Sequence, residues 1–156
     1  MAELTITRVF DAPRQLVWRA WTDPEQISKW WGPRGVSTPV ETIRMDLRPG
    51  GEASLVMVND ADGTEYPNNG KYLEVVEPER LVWQDYGFAD GSGAGTVTIT
   101  FTDLGGKTEV TVHAIADFSD TIRAQAEIGW GSSFDKLAEL LAAQRTRGVD
   151  RPPMQA

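Results

Sequence analysis

One apolar stripe near the C-terminal end most constrains what this chain can become, because the region before it reads as strands alone. Ile122, Ala126, Trp130, Ser133, Phe134, Leu137, Leu140 and Leu141 recur at three- and four-residue spacing, the repeat of a single helix face. A helix carrying them all runs about 25 residues, roughly 37 Å. No other element is long enough to cover a sheet of many strands. From Val40 to Ala116 the pattern is β throughout, with candidate strands at Val40–Leu47, Glu52–Asn59, Glu65–Val76, Arg80–Gly87, Gly95–Thr102 and Thr108–Ala116. Pro49-Gly50-Gly51, Asp60-Ala61-Asp62-Gly63, Glu77-Pro78-Glu79 and Gly105-Gly106-Lys107 punctuate them as turns. Such short connections join antiparallel neighbours. Val97, Ile99 and Phe101 alternate with threonines, as a half-buried strand requires.

The first third of the chain adds one strand and two helices. Leu4 to Phe10 is β-branched and alternating, with an apolar series of Leu4, Ile6 and Phe10 that Arg8 interrupts. Pro13 suits the start of a helix, and Leu16, Val17, Ala20 and Trp21 follow at helical spacing. Asp23-Pro24-Glu25 restarts the chain as a cap and first turn, and Ile27, Trp30 and Trp31 make a second short apolar face. Gly32-Pro33-Arg34-Gly35 then stops the helix. Four of the six tryptophans lie between Trp18 and Trp31, and each buries roughly 200 Å² when covered. A surface helix has no use for four. Trp30 and Trp31 cannot both face one core if they stay on the same helix, since adjacent residues point about 100° apart.

Composition closes off several classes of function. The 156 residues fit one domain with a substantial core. We take 1–145 as that domain and 146–156 as a flexible tail without core-facing pattern. The net charge of −8 opposes phosphate backbones and anionic lipid surfaces, so neither nucleic acid nor membrane is expected as a partner. The chain has no cysteine and one histidine, which removes disulfides, thiolate chemistry and a histidine-based metal cluster. No metal and no cofactor is expected. The N-terminal Met1-Ala2-Glu3-Leu4-Thr5-Ile6 has no secretory pattern, and the cytosol is the expected location.

The order β-α-α-β-β-β-β-β-β-α carries a set of motifs. They are Phe10-Asp11-Ala12-Pro13, Val17-Trp18, Trp21-Thr22-Asp23-Pro24, Trp30-Trp31-Gly32-Pro33, Asp46-Leu47-Arg48-Pro49-Gly50-Gly51, Arg80-Leu81-Val82 and Gly129-Trp130. In this combination, from about Leu4 to Leu141, the chain resembles the activator of Hsp90 ATPase homologue 1-like proteins. These belong to the START-like, or helix-grip, superfamily with polyketide cyclases and plant pathogenesis-related proteins. The resemblance implies an α+β helix-grip fold: a curved antiparallel seven-stranded sheet around the long C-terminal helix, with two short helices after the first strand. It also implies a cavity between sheet and helix that holds small apolar molecules in many members.

Residue sizes agree with a cavity. Ala53, Ala126, Gly129 and Ser133 are small inward candidates while aromatics cluster at the ends, and a curved sheet gripping one helix fills its interior only with large side chains throughout. The expected lining is Trp31, Met45, Leu55, Met57, Trp83, Val97, Ile99, Val112, Trp130 and Phe134, with Tyr66, Tyr72 and His113 as polar accents. Period-two alternation does not separate cavity wall from packed core. Strict alternation turns Tyr72 outward with Glu74, and His113 outward with Thr111; a bulge reverses either. Gly129 and Gly131 permit a close strand approach or leave empty volume beside Trp130. The expected function is binding of a small, largely apolar ligand, gated by Trp30 to Gly35 and by hairpin tips at Asp60–Gly63 and Ala89–Gly95. Two alternatives stand beside it. A cyclase- or dehydratase-like enzyme needs few diagnostic residues, with Asp46, Glu52, Glu65 and Asp85 as its candidate carboxyls, and no catalytic residue is assigned. A chaperone cofactor of Hsp90 type is disfavoured because the second domain of the eukaryotic cochaperones is lacking. Homodimerisation is left open.

Overall fold

The computed structural model describes residues 2–87 and 94–144. Nine strands and three helices follow one another as β1 (Ala2–Phe10), α1 (Arg14–Thr22), α2 (Pro24–Trp30), β2 (Val36–Ser37), β3 (Arg44–Met45), β4 (Ala53–Asn59), β5 (Glu65–Asn68), β6 (Gly70–Val76), β7 (Arg80–Asp85), β8 (Gly95–Asp103), β9 (Thr108–Ala116) and α3 (Asp120–Gln144). Pairing is antiparallel throughout. A five-stranded sheet runs β1-β9-β8-β7-β6, and a smaller one runs β2-β4-β3 with β5 also on β4. A bridge between Glu52 and Lys71 joins them. The α+β helix-grip architecture is present, with its strands more broken than the apolar runs suggest. Val40–Leu47 becomes a 3₁₀ turn and two strand residues, and Glu65–Val76 splits at Asn69. The tail and most of the Ala89–Gly95 hairpin tip lie outside the described residues.

Local chemistry explains the helical layer. Pro13 is the N-cap of α1 rather than its first residue, and Asp23 caps α2 by accepting from the Glu25 N–H at 3.1 Å. Trp31, at the C-cap of α2, has left helical geometry (φ −68°, ψ 132°), which separates it from its neighbour. Trp30 turns into the core, wholly buried, and its Nε1 donates to the Ala20 carbonyl at 2.9 Å. Trp31 turns the other way.

Register decides where the interior is solid. Inward residues line up across the large sheet in rows: Ala2, Ala116, Gly95, Asp85 and Gly70; then Leu4, Ala114, Val97, Trp83 and Tyr72; then Ile6, Val112, Ile99 and Leu81. The first row is made almost wholly of glycine and alanine. A Cβ at Gly95 would lie 2.1 Å from the Ile115 carbonyl oxygen, and one at Gly70 would lie 2.1 Å from that of Gln84, so no side chain fits at either. The third row is close-packed, with Ile99, Val112 and Leu81 at 1 % exposure or less.

The long helix follows the same gradient. Phe134, Leu137 and Leu141 in its C-terminal half are buried against α1, α2 and the packed rows. Arg8 interrupts the apolar series of β1 because it reaches this helix. Its guanidinium donates to Asp135 Oδ1 at 3.0 Å and to the Gly131 carbonyl at 3.2 Å, and it lies 5.8 Å from the centre of the Phe134 ring. The N-terminal half lies over the first two rows, and there the space stays open.

Candidate functional site

Between the first two rows of the large sheet and the N-terminal half of α3 lies a cavity of about 380 Å³, within the usual size of a small-molecule site. Trp21, Trp31, Trp83 and Trp130 form much of its wall. The smaller sheet contributes Met45, Ala53, Ser54, Leu55 and Met57, and the large sheet Leu4, Leu81, Val97, Ala114 and Ala116. Phe118, Ile122, Ala126, Gly129 and Ser133 supply the helix side, and Gly32 and Pro33 the loop side. Ile122 is half-exposed and marks the rim.

Aromatic packing supports the wall. Trp21 meets Trp30 at 4.7 Å, Phe101 at 5.8 Å, Trp31 at 5.9 Å, Trp130 at 6.1 Å and Phe134 at 6.3 Å between ring centroids. Edge-to-face and stacked contacts of this kind favour fixed orientations. Trp31 also packs on Trp83 at 6.2 Å and on Trp130 at 5.4 Å. A Cβ built at Gly129 or Gly131 meets nothing within 4 Å. Neither glycine serves a close strand approach, and Gly129 leaves open volume in the cavity beside Trp130.

Of the residues named from sequence, the cavity brings together Trp31, Met45, Leu55, Met57, Trp83, Val97, Trp130 and Tyr72. Ile99, Val112 and Phe134 do not line it. Ile99 and Val112 share the correct face but lie in the third row, beyond Leu81, and Phe134 lies in the C-terminal half of α3; all three are fully buried in the core. Tyr66 is also outside: β5 is an exposed strand of the smaller sheet, and Tyr66 keeps 38 % of its surface accessible. Tyr72 turns inward, with 3 % exposure, because the register shifts between Tyr72 and Glu74. His113 obeys strict alternation, faces outward and contacts Glu3 Oε2 at 2.5 Å. Glu52, Glu65 and Asp46 are exposed, Asp46 in an ion pair with Arg48.

The remaining carboxyl candidate, Asp85, lies in the cavity wall beside Asn68 and Asn69. The two asparagines were missed because Pro67-Asn68-Asn69-Gly70 was absorbed into one long strand; its turn chemistry is the signal that separates β5 from β6. Asp85 Oδ1 accepts from the Gly87 N–H at 2.9 Å. Burial pushes its carboxyl pKa up against that hydrogen bond, and burial also pushes the Tyr72 phenol up. Folding thus favours the protonated form of Asp85, so its charge detracts from stability above its native pKa. That deficit disappears as the pH falls through the ordinary carboxylate value of 3.8. Asp85→Asn is expected to raise the melting temperature near neutrality, with the gain shrinking as the pH falls toward the ordinary carboxylate value of 3.8. Thermal melts of both proteins from neutrality down to that value measure it; a gain independent of pH would contradict the assignment.

Among the described residues, no three His, Asp or Glu side chains come together as metal ligands, and no helix is long and apolar enough to cross a membrane. The loop that closes one side is tied to α3. The Arg34 N–H donates to Ser132 Oγ at 2.9 Å, and the Arg34 guanidinium pairs with Glu139.

Comparison with known proteins agrees with this geometry. A protein from Chromobacterium violaceum is similar over 89 % of this chain and 96 % of its own, with 29 % identity and a TM-score of 0.81. A protein from Nitrosomonas europaea shares 31 % identity, covering 92 % and 96 % of the two chains at a TM-score of 0.78. An AHSA1-like protein from Aeromonas hydrophila shares 25 % identity over 94 % and 96 %, also at 0.78. No curated protein matches the chain. The family model for activator of Hsp90 ATPase homolog 1-like protein matches residues 11–142, nearly all of the described structure. The chain belongs to that family.

Proposed function

We propose that this protein binds a small, largely apolar ligand, with an aromatic portion, in the cavity between sheet and helix, and that it does so in the cytosol. The observation that carries the reading is an internal volume of about 380 Å³ walled by four tryptophans and two methionines. Apolar surface held away from close packing is costly, and a ligand that covers it recovers roughly 25 cal/mol for each Å². Family membership supports the reading, since START-like proteins often hold hydrophobic molecules. The Gly32-Pro33-Arg34-Gly35 loop would control access, with left-handed glycines at both ends (φ 93° at Gly32, 91° at Gly35) and the Arg34 contacts to α3 as its latch.

The four wall tryptophans make binding directly observable. Titration with the neutral fluorophore N-phenyl-1-naphthylamine is expected to give saturable, one-to-one quenching of tryptophan emission. Native mass spectrometry of protein purified from its own host is expected to reveal a retained small molecule. Absence of saturable quenching, together with a bare mass, would overturn the proposal.

A further inference from the structure

Polar groups break the apolar lining at one place, the seam between the two sheets. Asn68 ends β5, Gly70 begins β6, and Asp85 at the end of β7 lies opposite Gly70. Tyr72 lies opposite Trp83, two residues before Asp85 on the same inward face. Tyr72 and Asp85 are therefore diagonal neighbours, roughly 7–8 Å apart. Asn68 Oδ1 is buried and has no hydrogen-bond partner among the described residues, and the same is true of Trp21 Nε1 in the cavity wall. Buried polar atoms are normally paired, and each exception needs a reason.

The mixture of donors and acceptors identifies what would pair them. A cationic head would satisfy the acceptors, Asn68 Oδ1 and the Asp85 carboxyl, and leave the Tyr72 O–H donor unmatched. An anionic head would satisfy that donor but would face Asp85. No lysine, arginine or histidine among the described residues lines the cavity to balance it, in a chain of net charge −8. An uncharged group that both donates and accepts meets both kinds of partner at once. Resting on the binding reading above, we infer that the Asn68–Tyr72–Asp85 seam is a subsite for a neutral hydroxyl or amide head on an otherwise apolar, aromatic ligand.

Four probes of one shape separate this inference from the general one: naphthalene, 2-naphthol, 2-naphthoate and protonated 2-naphthylmethylamine, titrated calorimetrically at neutral pH. The wild type is expected to bind 2-naphthol about tenfold more tightly than naphthalene, and both ions less tightly than 2-naphthol. Tyr72→Phe and Asp85→Ala are each expected to bring the affinity for 2-naphthol down toward that of the same variant for naphthalene, so that the ratio between the two probes collapses. Asp85→Asn, which keeps a donor and an acceptor, is expected to retain the preference and guards against misfolding of the alanine variant. Equal binding of naphthalene and 2-naphthol, or equal weakening of both by the variants, would overturn the subsite while leaving the apolar cavity standing. Tightest binding of either ion would overturn the neutral head. Failure of all four to bind would overturn both readings together.

Discussion

Replacing Trp21 by alanine is expected to cost about 3–5 kcal/mol of stability and to lower Tm by about 10 °C. Trp21, on α1, is 1 % exposed and touches five other aromatic rings that belong to α2 and its C-cap, to β8 and to α3. It is the side chain that connects the helical layer to the sheet and the long helix. Removing the indole leaves a void that its rigid neighbours cannot fill, and joins that void to the cavity. Trp21→Phe should cost much less, because most ring contacts survive and the lost Nε1–H has no partner among the described residues. Urea unfolding of the three proteins provides the comparison. Similar losses for Ala and Phe would mean that the indole nitrogen, rather than ring packing, carries the stability.

Gly129→Phe is expected to fill the cavity and weaken N-phenyl-1-naphthylamine binding more than about tenfold while the protein stays folded. Gly129 lines the cavity, and its Cβ position has open space around it. A helical glycine costs about 1 kcal/mol against alanine, so the substitution also removes a local helix penalty. Ala138→Phe, at an exposed position on the same helix, serves as the control and should leave binding intact. Undiminished binding by the Gly129 variant would place the probe elsewhere and remove the cavity from the function.

The two halves of this helix differ, and the sequence shows why. Leu137 and Leu141 are large and buried, whereas Ala126, Gly129 and Ser133 are small and share the cavity wall with Ala114 and Ala116 of the sheet. Side-chain size was legible residue by residue, so a pocket was expected. Its position was less so. Ile99 and Val112 share the inward face with Val97, and only the pairing of Ile99 with Val112 and Leu81 puts them in the packed row. Tyr72 shows the same limit: one extra residue in β6 reverses the face it presents. Asp85 was one of four carboxyls of equal standing in the sequence, and pairing with Gly70 at the seam is what sets it apart.

By itself the sequence determined the α+β class, the succession of strand, two helices, β region and long helix, the inward face of most strands, the Asp23 cap and the family. Each depends on neighbours within a few residues or on recurring spacing, and both are written along the chain. Tertiary structure alone decided how deep each inward residue lies, which of the adjacent Trp30 and Trp31 packs the core and which walls the cavity, and which polar side chains meet at the seam. Those outcomes depend on strand register, on a bulge and on the break between two sheets, where residues far apart in sequence must choose one alignment together.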